Sequence, residues 1–166
     1  MTVDSLKRLL IFIVLCMAQV LVLNRIHLFS IATPLLYVYF VLLFPRNYPK
    51  WALLFWSFGL GLVNDTFSNT PGVACASMTL LGVIQPYCLE LFVPRDAVED
   101  FRPAVYSLGI SKYIYYALPL TLLYCLVFFA LESFNFFNWL QWLECTGGST
   151  LLTFALILTL ESLRTK

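Results

Sequence analysis

Charge is what this sequence has least of. Only 11% of its 166 residues are charged, against about 25% in ordinary soluble domains. With 61% apolar residue types, the chain cannot furnish a water-facing surface around a core. Its length suits one helical bundle and no second domain of size. The net charge of +1 offers nothing to a polyanion, so a nucleic-acid partner is not expected. Histidine occurs once, as His27, beside Arg25 at an apolar segment's end, where it reads as an interfacial side chain. The five cysteines, Cys16, Cys75, Cys88, Cys125 and Cys145, are odd in number and form no C-x-x-C. Without histidine partners they read as small hydrophobes within helices, not as metal ligands or a redox pair. Metalloprotease, nucleophile-elbow and lysine-bearing phosphate-loop patterns are missing, as is any paired acid set within a span. The expectation is therefore a non-enzyme with no metal and no cofactor.

What the chain does have is long apolar runs. A crossing of a ~30 Å hydrocarbon core takes about 20 helical residues. Residues 9–24 form the first, with Lys7 and Arg8 snorkelling ahead of it. No A-x-A-like cleavage site follows, so it reads as a retained helix and not a signal peptide. Residues 26–44 form the second, ending at Pro45-Arg46. Between Lys50 and Glu90 the one charge is Asp65; those about 39 residues would span roughly 58 Å as a helix, or two crossings. The polar stretch Asn64-Asp65-Thr66-Phe67-Ser68-Asn69-Thr70-Pro71-Gly72 predicts the turn, giving a hairpin of 51–63 and 71–92. Further spans are predicted at 113–131 and 145–160. Pro86 predicts a kink near Gln85. Alternating barrel strands are excluded by the unbroken apolar runs.

The cations test this count. Six spans place Lys7, Arg8, Arg46, Lys50, Arg95, Arg102, Lys112, Arg164 and Lys166 on one side, and Arg25 alone on the other. That asymmetry makes the richer side cytoplasmic and puts both termini there. It collapses if the 51–92 hairpin is a single span. The fold class is thus all-α, a polytopic membrane bundle with an N-in/C-in arrangement.

Few polar residues remain to carry function. The cytoplasmic stretch 94–112 reads as a solvated connector with some helix, and otherwise as a docking surface. On the outer side, residues 134–143 predict an amphipathic helix lying in the interface, anchored by Phe136, Trp139 and Trp142. Glu90, Glu132 and Glu161 fall at span ends, where a carboxylate can reach water. Asp65 stands apart: a membrane-edge acid is a functional candidate. A structural role, capping backbone N–H groups at the start of the fourth helix, is favoured over ligand binding. Ser57 and Gly61 on one helix, with Gly72 and Ala76 on the next, have the small-x-x-x-small spacing of closely packed helices.

The run Gly59-Leu60-Gly61-Leu62-Val63-Asn64-Asp65, followed by a polar stretch to Pro71-Gly72, resembles the rod shape-determining MreD family. That pattern is a glycine-rich helix end, an aspartate, and a glycine about seven residues later that opens the next helix. Length and the loop-poor six-span layout are also similar across essentially the whole chain. The resemblance implies a non-catalytic scaffold of the bacterial cell-wall elongation machinery in the cytoplasmic membrane. Its implied partners are MreC and, through it, the MreB filament, RodA and a penicillin-binding transpeptidase. The family is similar in architecture to the substrate-binding subunits of energy-coupling-factor (ECF) transporters. A vitamin-binding subunit is therefore the rival expectation, and it requires a cavity near the outer face.

Overall fold

Apolar runs with little to break them become helices, and a computed structural model describes residues 3–22, 33–93, 101–133 and 139–164. In chain order the helices are α1 (Val3–Leu21), α2 (Val38–Leu42), α3 (Lys50–Ser68), α4 (Val73–Phe92), α5 (Val105–Leu108), α6 (Ile110–Ser133) and α7 (Trp139–Arg164). No strand occurs among the described residues. Helices α4, α6 and α7 are each long and apolar enough to cross a membrane. His27, Arg25 and residues 94–100 and 134–138, Phe136 among them, lie outside the described residues.

Three expected boundaries change. The helix expected over 51–63 runs on to Ser68, so Asn64 and Asp65 sit inside α3 and the turn is confined to 69–72. Their side chains face inward, Asp65 bonding across the hairpin and Asn64 to Tyr37, which leaves the backbone free to stay helical. Asn69 ends α3 in the left-handed region (φ 57), a conformation asparagine tolerates, and its N–H returns to the Asp65 carbonyl. Gly72 (φ 84) supplies the second left-handed residue before α4 begins at Val73. At the other end of the chain, Trp139–Leu143 form the opening turns of α7, continuous with the sixth span, and are not part of a separate interfacial helix. Nothing between Leu143 and Thr146 can break the helix.

The third change is the largest. The described part of the expected 26–44 helix is helical only over Val38–Leu42. Residues 33–37 are irregular, yet 34–42 are all buried. Backbone without helical bonds survives at that depth only where protein supplies the partners. Here the Thr33 N–H donates to Ser149 Oγ (3.1 Å), Leu35 N–H to Thr153 Oγ1 (3.0 Å) and Leu36 N–H to Gln19 Oε1 (3.0 Å). Gln19 Nε2 donates to the Pro34 carbonyl at 2.8 Å. Pro34 itself has no N–H to place. Tyr39 then reaches Glu161. From Thr33 to Tyr39 the chain thus keeps pace with α7 from Ser149 to Glu161, about 18 Å of helix axis, where six helical residues would cover about 9 Å. Thr153→Val, which preserves shape but strips the acceptor from Leu35, is expected to cost about 1–2 kcal/mol in thermal unfolding of the purified protein.

The irregular segment and α2 occupy the middle of the bundle, between α1, α4, α6 and α7. Tyr37, within the segment, and Tyr113, Tyr116 and Tyr124 are fully buried. Phe12, Phe40 and Trp56 meet edge to face with centroids 5.5–6.1 Å apart, a favoured aromatic geometry. Helix α4 continues through Pro86, and the adjacent Gln85 donates to Tyr116 Oη at 2.9 Å.

Candidate functional site

The α3–α4 hairpin is closed by two contacts that only small residues permit. A Cβ on Gly61 would stand 2.6 Å from Cys75 Cα and 2.8 Å from the Ala74 carbonyl oxygen, so the two backbones touch there. Further along, a Cβ on Gly82 would lie 2.8 Å from Ser57 Oγ. Ser57 is buried and donates back to the Leu53 carbonyl at 2.8 Å. Gly61 and Ser57 therefore do face α4, as their spacing implies. The α4 side differs: Ala76 is exposed, and the surface meeting α3 is Ala74, Cys75 and Gly82. Gly72 and Ala76 share a helical spacing, but the turn begins the helix one residue after Gly72 and rotates Ala76 outward. Gly59 has open space where a Cβ would be, and Pro71 is exposed in the turn.

Asp65 sits one turn beyond Gly61 and is 8% exposed. Its Oδ1 accepts the Ala74 N–H at 2.9 Å and its Oδ2 accepts the Cys75 N–H at 2.8 Å. Thr70 Oγ1 also donates to Oδ1, at 3.0 Å. The carboxylate thus satisfies two of the unpaired donors that open α4, from across the hairpin, at the positive end of the helix. Close approach at Gly61 is what brings those N–H groups within reach. One sequence feature sets the spacing and the next uses it.

Asn64 points into the bundle instead. It is 4% exposed, donates Nδ2 to Tyr37 Oη at 3.4 Å, and its Oδ1 has no hydrogen-bond partner among the described residues. Tyr37 Oη and Tyr124 Oη are hydrogen-bonded to each other. Gln19, Tyr37 and Asn64 line a narrow crevice between α1 and α3.

Glu161 was expected at a span end in contact with water. The structure buries it completely. It accepts from Tyr39 Oη at 2.5 Å and from the Val105 N–H at 3.2 Å, with Arg164 at 3.8 Å. A buried carboxylate is retained where hydrogen bonds and a cation compensate its lost hydration. This residue ties α7 to α2 and α5. The nearest signal in the sequence is Arg164 three positions on, the spacing of neighbours on one helix face. Tyr39 and Val105 lie too far along the chain for any local pattern to announce them. Trp139 is exposed and Trp142 is half-buried against the core. All five cysteines are free, and no cluster of three or more metal-ligating side chains occurs among the described residues.

Fold and site together define an all-helical membrane protein whose buried polar side chains chiefly hold its own backbone. No family model, curated protein or solved structure matches the chain.

Proposed function

We propose that this chain is a non-catalytic scaffold of the bacterial cell-wall elongation complex, of the MreD type. It crosses the cytoplasmic membrane about six times with both termini inside. It binds an MreC-like protein and, through it, the MreB filament, RodA and a penicillin-binding transpeptidase. The observation that carries this reading is the hairpin of Gly61, Asp65 and Gly72, whose polar groups are spent on holding α3 to α4. Such a device stiffens the surface that α3 and α4 present. The outward face of α3 supports the reading, since Trp51, Phe55, Phe58 and Leu62 form an exposed apolar stripe at helical spacing. That stripe suits lipid or a partner's membrane helix. The gathering of Lys7, Arg8, Arg102 and Arg164 at one end of the bundle agrees with the cytoplasmic placement of those cations.

Depleting the protein in its host is expected to round or swell the cells, and detergent extraction to recover an MreC-like partner with it. Unchanged cell shape would overturn the scaffold reading. The rival reading, a small-molecule-binding subunit of the energy-coupling-factor type, requires a cavity, and the crevice beside Asn64 is too narrow to admit a water molecule. Lost uptake of a vitamin, with normal shape, would select that reading.

A further inference from the structure

At one end of the bundle a cavity of about 400 Å³ opens between α1, α2, the segment after residue 101 and the end of α7. A volume of that order holds a small ligand or a headgroup. Four cations line it: Lys7, Arg8, Arg102 and Arg164. Arg164 is paired at 3.8 Å with the buried Glu161, whose oxygens also accept from Tyr39 and the Val105 N–H. Among the described residues the lining thus carries four cations and no carboxylate. Arg8 is held in place, with its guanidinium 4.2 Å from the Tyr48 ring centroid and 5.6 Å from that of Phe44. A cation fixed by stacking loses little freedom on meeting an anion.

The rest of the lining is apolar. Ile11 and Leu160 form walls, and Val14, one turn beyond Ile11 on α1, is exposed. The site is therefore cationic at its mouth and continues into an apolar lane along α1. That pairing fits an amphiphile better than a free ion. We propose that this cavity binds the phosphate headgroup of an anionic phospholipid, with an acyl chain lying along α1. Basic pockets at the cytoplasmic ends of membrane helices commonly serve this purpose. The proposal rests on the membrane placement of the bundle and is independent of the scaffold reading.

The test uses the full chain in a neutral detergent. Thermal unfolding is followed with added phosphatidylglycerol, phosphatidylcholine or inorganic phosphate. Phosphatidylglycerol is expected to raise the midpoint by several degrees, and phosphatidylcholine not to. The K7Q/R102Q variant is expected to lose at least half of that shift, whereas the charge-matched R46Q/K112Q variant keeps it. Equal protection by phosphatidylcholine, or protection surviving K7Q/R102Q, overturns the site. Equal protection by inorganic phosphate overturns the lipid assignment. Should K7Q/R102Q fail to fold, Lys7→Gln alone replaces it, since that side chain is exposed. Native mass spectrometry of the unaltered protein is then expected to show one phosphatidylglycerol retained in preference to phosphatidylcholine, and no preference overturns the proposal.

Discussion

Gly61→Ala is expected to be the most damaging single-methyl change in this protein, costing about 3 kcal/mol in thermal unfolding of the detergent-purified chain. The added Cβ would meet backbone atoms of α4 at 2.6–2.9 Å, and backbone cannot rotate aside as a side chain can. Either the helices part or the hairpin bends. Parting them also lifts the Ala74 and Cys75 N–H groups away from Asp65, so the steric cost and the loss of the cap arrive together. Gly59→Ala, two residues earlier with nothing within 4 Å of the new atom, is the matched control. It is expected to be neutral or slightly stabilising, because alanine is the better helix former by about 1 kcal/mol. Equal effects at the two positions would show that the close contact does not govern the hairpin.

The second large effect is expected at Asp65. Asp65→Leu removes three hydrogen bonds to a charged acceptor and the favourable term at the N-terminus of α4, about 3 kcal/mol in all. Asp65→Asn keeps the shape and one acceptor oxygen but turns an NH₂ group toward an N–H, and is expected to cost about 1 kcal/mol. Membrane levels and cell shape should follow that order. If both variants reach normal levels and both abolish function completely, the carboxylate acts on a ligand and the capping role is secondary.

Both predictions concern features that could be read along the chain. The glycine spacing, the lone acid and the flanking turn residues all lie within 59–72, so short-range geometry sufficed to place a hairpin there. It did not suffice to place the turn within it. Asn64 and Asp65 have the composition of a turn, yet their side chains bond across the hairpin and into the bundle, and α3 continues through them to Ser68. Ala76 failed for a related reason: α4 starts two residues later than expected, at Val73, and each residue of offset turns a side chain by about 100°.

Composition and the unbroken apolar runs pointed to a helical membrane protein, because so few charges cannot coat a soluble domain and the runs do not alternate as barrel strands do. The unbroken apolar runs also placed α4 and α6 to within about three residues, but began the last membrane-length helix six residues late, at 145 against Trp139. Tertiary structure alone decided the fate of residues 33–44, which an apolar run assigns to a helix. Their backbone is instead held by Gln19, Ser149 and Thr153, and their Tyr39 by a wholly buried Glu161. Those partners lie from 15 to 122 positions away in sequence. Local pattern reports which backbone groups a segment can satisfy by itself; it is silent on those that distant side chains satisfy.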